Sequence, residues 1–402
     1  MTKAKLDEDS GGYAPDRVEG THLDPVWIAR LDDVITAAQE AAKALKALSA
    51  GQLVDRAAQA RASFGRVVSL YPDPFDIRPA VDAIVEAFNA AASCATLQRP
   101  VILLFGESHA NALHKIVQLG VLSRLKDQGL KFGFGYEYPY DLIEQVFGRV
   151  VSEDSHPDLL SAMKRDPLGV AIVRWKRPFA PVTRDHLFYF CRASRIRVAF
   201  NDVSRVDDLV VVEDPATQKV MARLFGHEPD ILPVHHPLGL YARNAFMAER
   251  IMRRTRAAHP CVYIQHCGMH HVFGTHTSEA YRQSLSYQLA AHGAAVVPVY
   301  FDEMEQPDLA EIPSEAVGAM PKHSVLIQTQ DNPRYFAPRY LKKNFKKIQE
   351  EGYREPDMSE RAYLDAVREA SGRIFDIPDV DGWLARIKAE RARHRAALCR
   401  PG

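Results

Sequence analysis

A short, wholly apolar run at residues 101–105, which ends at Gly106, constrains the fold of this chain more than any other feature. Because the run has no polar alternation, it predicts a β-strand that is buried on both faces. Comparable strands are predicted at residues 132–136, 196–200, 261–264 and 295–300, with helices between them at residues 113–129, 186–193, 238–256 and 280–291. Strands that alternate with helices predict an α/β fold with a largely parallel central sheet flanked by helices.

Composition divides the chain into four predicted regions. Residues 1–21 are polar, which predicts a disordered tail. Residues 22–98 form a predicted N-terminal helical region, in which Asp24 and Pro25 suit the N-cap and the first turn of a helix. Residues 99–330 form the predicted α/β domain, and residues 331–402 form a charge-rich C-terminal helical extension. Three roles remain open for the terminal helices: packing on the sheet, covering a site, or forming a homodimer.

Composition and charge also exclude several classes of protein. Lys plus Arg and Asp plus Glu each number 51, whereas a general nucleic-acid-binding protein normally carries a basic excess. The five cysteines contain no CxxC pair, which favours free thiols in a reducing compartment. No apolar stretch approaches the roughly 18 residues of a membrane span, and residues 1–20 lack the apolar core of a signal peptide. We therefore expect a cytoplasmic protein without nucleic-acid or membrane partners.

Polar side chains follow the predicted strands. In chain order they are Gly106-Glu107-Ser108-His109 after the first strand, Glu137 after the second, Asn201-Asp202 after the third, and His266, His270 and His271 after the fourth. Parallel sheets bind ligands at the carboxyl ends of their strands, so these side chains are expected at one rim. Carboxylate and imidazole together serve general acid–base catalysis or hold a divalent metal ion.

Each of these residues also has an ordinary structural explanation. A histidine after a strand commonly packs or is solvated, Glu137 could cap a helix, and Asn201-Asp202 could form a turn. Without a functional site, the polar residues after each of the four strands would need their own structural explanation. Their expected convergence at one rim therefore favours a functional site. Several other histidines are expected to be incidental, namely His114, His227, His235, His236 and His276.

Four ordered motifs resemble those of the superfamily that contains erythromycin esterases, ChaN-like proteins and Tiki-type proteases. They are a GExH motif at Gly106-Glu107-Ser108-His109, the glutamate Glu137 after the second strand, an Arg-Asp-x-x-Met-Ala-type motif that begins at Arg243, and a Gly-x-x-His turn at Gly268-Met269-His270-His271. The resemblance covers about half of the chain. Asn244 departs from the pattern, because aspartate is common there. The last turn, with its adjacent histidines, is closer to the Tiki pattern than to that of the esterases.

The resemblance implies three kinds of activity. In Tiki-like proteins, Gly-x-x-His turns hold a divalent metal for peptide hydrolysis. In erythromycin esterases, the GExH histidine activates water against a lactone. ChaN-like members bind haem or iron. A hydrolase is the leading hypothesis, metal-assisted and acting on an ester, lactone, amide or peptide bond of a small-molecule or peptide substrate.

Seven residues are the candidates for catalysis or metal binding. His109 is expected as ligand or general base, Glu107 as its orienting group or a further ligand, Glu137 as carboxylate ligand or proton shuttle, and His271 as the opposing ligand, with His266 and His270 as additional candidates. Such ligands suit Zn, Mn, Co and Fe alike. Arg243 could stabilise an oxyanion or bind a substrate carboxylate, and it could equally be a surface arginine of a helix.

Two alternatives belong to other functional classes. Haem or iron binding would take its ligand from His109, His266, His270, His271 or a nearby tyrosine. An inert relative would instead use the terminal helices as an interaction module.

Overall fold

The computed structural model describes residues 25–70, 76–109, 111–140, 194–206, 209–210, 215–225, 236–257, 261–303 and 308–329, with a few single positions between and after these ranges. The predicted tail at residues 1–21 and almost all of the predicted C-terminal extension at residues 331–402 lie outside the described residues. The same holds for the N-cap predicted at Asp24 and for most of the helix predicted at residues 186–193.

A parallel β-sheet with helices on both faces confirms the predicted α/β fold. The described strands are β1 (Arg66–Ser69), β2 (Val101–Glu107), β3 (Gly133–Pro139), β4 (Arg197–Asp202), β5 (Arg205–Val206), β6 (Leu209–Val210), β7 (Val262–Gly268), β8 (Ala295–Glu303) and β9 (Val325–Thr329). Seven of them form the central sheet in the order β1-β9-β8-β2-β7-β3-β4, and every pairing in it is parallel. The short strands β5 and β6 pair separately and antiparallel.

Helices surround this sheet. The described ones are α1 (Pro25–Ala47), α2 (Ala50–Ser63), α3 (Arg78–Ala92), α4 (Ala112–Asp127), α5 (Pro215–Phe225), α6 (Pro237–Ala257), α7 (Met269–Phe273), α8 (Ser278–Arg282), α9 (Leu285–Ala291), α10 (Asp308–Glu311) and α11 (Ser314–Gly318). The helix predicted at residues 280–291 is thus two helices, because Ser284 breaks the run and caps α9 with its side chain. Among the described helices, none combines the length and the apolarity needed to cross a membrane.

The alternation of side chains along β2 shows how the two hydrophobic layers arise. Val101, Leu103 and Phe105 pack with apolar residues of α3 and α4 on one face of the sheet. Ile102 and Leu104 point the other way and pack with residues of α6, α7 and α9. Both faces of the strand are therefore buried, as the unbroken apolar run at residues 101–105 predicts.

Two strands that were not predicted, β1 and β9, extend the sheet on one side. β1 pairs in parallel with β9, and β9 pairs with β8. β1 is a four-residue edge strand, and Val67 in it is 44% exposed. Its sequence, Arg-Val-Val-Ser, lacks the longer apolar run by which the inner strands were predicted. Ile84 and Phe88 of α3 lie in the same core cluster as Leu103 of β2. The part of the predicted N-terminal helical region from β1 to α3 therefore belongs to the sheet domain.

Connections between the strands place a crevice beside β2. The strands β2 and β8 are neighbours, yet the chain leaves β2 toward β3 on one side and leaves β8 toward β9 on the other. Such a reversal of direction opens a cleft at the carboxyl ends of the two strands. The inner strands also continue two to four residues beyond their apolar runs, so that Glu107, Glu137 and His266 lie within strands rather than in loops.

Truncation of Phe88 tests whether α3 shares the core of the sheet. This side chain is 0% exposed, and Phe88→Ala should lower the free energy of unfolding by about 3–5 kcal/mol in a single urea transition. The control Val54→Ala, at a residue 66% exposed in α2, should change it by less than about 0.5 kcal/mol. A separate, earlier transition for the N-terminal part would contradict the shared core.

Candidate functional site

Side chains of the first turn of α4 hold the turn after β2 in place. Nδ1 of His114 accepts a hydrogen bond from the Ser108 amide at 3.1 Å. Nζ of Lys115 donates to the carbonyl oxygens of Ser108 at 2.9 Å, His109 at 2.8 Å and Asn111 at 3.1 Å. Burial, with the charge of Lys115, lowers the pKa of His114 to about 3, so this ring is neutral. His114 was expected to be incidental, and Lys115 was not identified from the sequence.

The first group of functional side chains surrounds the buried carboxylate of Glu107. Its Oε1 lies 3.1 Å from Nδ1 of His109, 3.2 Å from Nε2 of His266 and 3.0 Å from Nζ of Lys115. Its Oε2 accepts a hydrogen bond from Nε2 of Gln118 at 2.8 Å. Burial raises the pKa of Glu107, but the charges of His266 and Lys115 and the hydrogen bonds outweigh it and hold the pKa well below its ordinary value. Glu107 is therefore ionised.

The second group surrounds the carboxylate of Glu137. Its Oε1 lies 2.6 Å from Nη2 of Arg243 and 3.1 Å from Nε2 of His271. Its Oε2 accepts a hydrogen bond from the amide of Gly268 at 2.7 Å and lies 3.6 Å from Nε2 of His109. Burial raises the pKa of Glu137, yet His271, Arg243 and His109 together hold it well below its ordinary value. Glu137 is therefore also ionised, and His109 joins the two groups.

Arg243 is buried in this second group, at 3% exposure. Its Nε donates to both carboxylate oxygens of Asp202 at 3.1 Å, and its Nη2 contacts Asp202 at 2.8 Å and Glu137 at 2.6 Å. Burial lowers the pKa of Arg243, but the two carboxylates raise it further, above its ordinary value. The alternative of a surface arginine is therefore wrong, and the donors described here bind carboxylates of the protein rather than a substrate.

Asn244, the departure from the family pattern, orients His271. Its Nδ2 donates to the carbonyl oxygen of Gln283 at 2.8 Å, which fixes the orientation of the amide. Its Oδ1 then faces Nδ1 of His271 at 2.5 Å and accepts a hydrogen bond from it. Nε2 of His271 is consequently the nitrogen that faces Glu137.

Exposure distinguishes His109 from its neighbours. Its side chain is 29% exposed, whereas the side chains of Glu107, Glu137 and His271 are 0%, 8% and 5% exposed. A molecule that arrives from solvent therefore meets the ring of His109 before the other groups. His270, an additional candidate ligand, is exposed to solvent and lies outside both groups.

Within the described residues, Glu107, His109 and His266 converge as a group that could hold a metal ion. Their ligand atoms lie within 4.8 Å of one another. The expected ligands therefore fall into two groups. Glu137 and His271 belong to the second group, whereas His266 lies with Glu107 and His109. A carboxylate with two imidazoles fits Zn, Mn, Co or Fe.

The glycines of the two motifs leave room for close approach. A Cβ atom on Gly106 would lie 2.3 Å from Val272 and 3.2 Å from Met269, so only glycine lets α7 rest against β2. A Cβ atom on Gly268 would lie 3.1 Å from Nε2 of His109 and 3.6 Å from Oε2 of Glu137. The absent side chain at Gly268 therefore keeps open the space between the imidazole and the carboxylate.

Comparison with known proteins gives no match: no protein-family model fits the chain, and no curated protein and no solved structure is significantly similar to it. The resemblance to erythromycin esterases, ChaN-like proteins and Tiki-type proteases consequently stays a prediction that rests on the four motifs.

The substitution Gly268→Ala tests the space between His109 and Glu137. The backbone of Gly268 has φ −66° and ψ 150°, which alanine adopts without strain, so the unfolding midpoint should be unchanged or slightly raised. The new Cβ should displace the half-exposed ring of His109 by a few tenths of an ångström, visible in its side-chain NMR signals. Gly318→Ala is the matched control, because its Cβ would meet nothing within 4 Å. Unaltered His109 signals in Gly268→Ala would refute the tight fit.

Proposed function

We propose that the protein is a hydrolase that activates water at His109 to cleave an ester, lactone, amide or peptide bond of a small-molecule or peptide substrate. One observation carries the proposal: the exposed ring of His109 has an ionised, buried carboxylate near each nitrogen, at 3.1 Å and 3.6 Å. An imidazole placed in this way can exchange a proton with water while a fixed negative charge stabilises it.

A divalent metal ion is the cofactor that we propose, held by Glu107, Nδ1 of His109 and Nε2 of His266. When bound, a divalent metal polarises a carbonyl group and lowers the pKa of water to near neutrality. Glu137 then accepts the Nε2–H of His109, as carboxylates commonly orient ligating imidazoles. In this metal-assisted mode Glu137 is the group that receives and returns the proton.

A metal-free mode of the same hydrolysis is the second candidate, and Lys115 favours it. Its ammonium group lies 3.0 Å from Oε1 of Glu107, the oxygen that would also bind the metal, and two positive charges at such separations repel. In this mode Glu107 accepts the Nδ1–H of His109, and Nε2 takes the proton from water. The two modes thus differ in which nitrogen of His109 carries the proton.

The charge of the two groups is compatible with either mode. Three carboxylates, Glu107, Glu137 and Asp202, face two permanent cations, Lys115 and Arg243. One negative charge is left when the histidines are neutral. A proton on one histidine balances it, and a divalent cation exceeds it by one positive charge, so the two groups depart from neutrality by one charge at most in either mode.

The haem-binding alternative gains less support from these contacts. A haem ligand needs a ring nitrogen that faces an open cavity. Both ring nitrogens of His266 face Gln118 and Glu107, and both of His271 face Asn244 and Glu137. The hydrolase proposal uses these contacts, whereas haem binding would have to break them.

Removal of the His109 ring tests the hydrolase proposal. The variant His109→Ala should lose about 10²–10⁴-fold in kcat on p-nitrophenyl esters or fluorogenic peptides, because it lacks the proton-exchanging group. His323→Ala, near the amino end of β9, should keep full activity. If His109→Ala hydrolysed such substrates at the wild-type rate, His109 would not be the water-activating residue.

Elemental analysis of purified, untagged protein separates the two modes. In the metal-assisted mode the wild type should contain about one equivalent of metal, His266→Asn should contain almost none, and His271→Asn should keep its metal while losing activity. Loss of metal from His271→Asn alone would overturn the assignment of ligands. A wild type that is active without metal, even after treatment with a chelator, would establish the metal-free mode.

A further inference from the structure

Gln118 joins two of the three proposed metal ligands. It lies in the second turn of α4, is 0% exposed, and sits between Glu107 of β2 and His266 of β7. We propose that Gln118 is a positioning residue, which fixes the Glu107 carboxylate with one end of its amide and selects the ring nitrogen of His266 that faces the metal with the other. This inference rests on the proposed metal site.

The amide has a donor end and an acceptor end, and its two contacts use one each. Nε2 of Gln118 donates to Oε2 of Glu107 at 2.8 Å, and Oε1 of Gln118 lies 2.8 Å from Nδ1 of His266. Because Glu107 is an ionised acceptor, the donor end of the amide must face it. The oxygen therefore faces His266 and accepts a hydrogen bond from its Nδ1–H.

This contact determines which ring nitrogen of His266 is left to bind a metal ion. A neutral imidazole carries one proton, and a proton on Nδ1 leaves the lone pair on Nε2. Nε2 is directed at Oε1 of Glu107, 3.2 Å away, where both atoms can bind one ion. A ring flipped by half a turn would direct carbon atoms there instead, and the site would lose a ligand.

A neutral amide suits this position better than a carboxylate. A glutamate at position 118 could still accept from Nδ1 of His266, but it would present oxygen to the oxygen of Glu107. An apolar side chain would give neither contact and would leave both ligands free to rotate. Lys115, one turn earlier on the same face of α4, already neutralises Glu107, and the amide adds no further charge.

The test compares Gln118→Met, Gln118→Glu and the control Gln128→Met, which changes an exposed amide at the end of α4. The first readout shows which ring nitrogens of His266 carry a proton in metal-free protein at pH 8, from long-range ¹H–¹⁵N spectra of ¹⁵N-histidine-labelled protein, with the signal assigned by its loss in His266→Asn. The second readout is the affinity for Zn²⁺ alone, measured by calorimetry.

We expect a proton on Nδ1 of His266 in wild type and in Gln118→Glu, because residue 118 accepts a hydrogen bond from it in both. Gln118→Met should lose this proton and favour the neutral ring protonated on Nε2, which donates to Glu107. Zn²⁺ should bind Gln118→Met about 10–100-fold more weakly than wild type, the usual effect of losing a partner behind a ligand. Gln128→Met should match wild type in both readouts.

Three outcomes separate this inference from the proposed function. A wild-type His266 without a proton on Nδ1, or a Gln118→Met variant with the wild-type protonation of His266 and the wild-type affinity, would overturn the role of Gln118 whatever the protein hydrolyses. Loss of the Nδ1 proton in Gln118→Glu as well would refute the acceptor role of the amide. A shift of tautomer in Gln118→Met without Zn²⁺ binding to any form would support Gln118 as the positioning residue and refute only the proposed metal.

Discussion

The buried ion pair between Glu107 and Lys115 is the interaction on which the rest of the site depends. An isolated carboxylate at the end of a fully buried strand would cost several kcal/mol in lost hydration. The ammonium group of Lys115, together with His266, offsets that cost, and it also binds three carbonyl oxygens of the turn after β2. One side chain therefore helps to keep Glu107 ionised inside the protein and fixes the position from which His109 projects. The orientation of His266 follows from the same carboxylate.

The three central histidines, His109, His266 and His271, differ in the groups that face their ring nitrogens. His266 and His271 each have an amide oxygen near Nδ1 and a carboxylate near Nε2. His109 has a carboxylate near both nitrogens. An amide fixes a tautomer but does not exchange protons, whereas a carboxylate can do both. His266 and His271 are thus suited to hold one fixed form, and His109, which is also the exposed ring, is suited to pass a proton between Glu107 and Glu137.

The sequence predicted the inner strands because burial on both faces leaves an unbroken apolar run, and it predicted the site because polar residues follow those runs. It did not reveal the edge strand β1, whose side chains are largely exposed. It also missed Lys115 and Gln118, because polar residues on a helix are normally assigned to its solvent face. Nearly every residue of α4 is buried, and these two lie three positions apart on one face, directly after the GExH motif. A lysine and a glutamine at that spacing, flanked by the apolar residues of a largely apolar segment, were the available signal.

The division of the expected ligands into two groups follows from the alternation of strand side chains and from register. Phe105 packs on the α4 face of the sheet, so Glu107, two residues later, points to the same face and meets Lys115 and Gln118. His266 pairs in register with Phe105 and also points to α4. Tyr136 packs on that face too, so Glu137 points to the opposite face, where α6 supplies Arg243. Alternation within each strand can be read from the sequence, but the register between β2, β3 and β7 cannot, because it is set by packing between residues more than a hundred positions apart. For that reason the four motifs predicted that these residues lie at one edge of the sheet. They could not predict which residues meet on each face of the sheet.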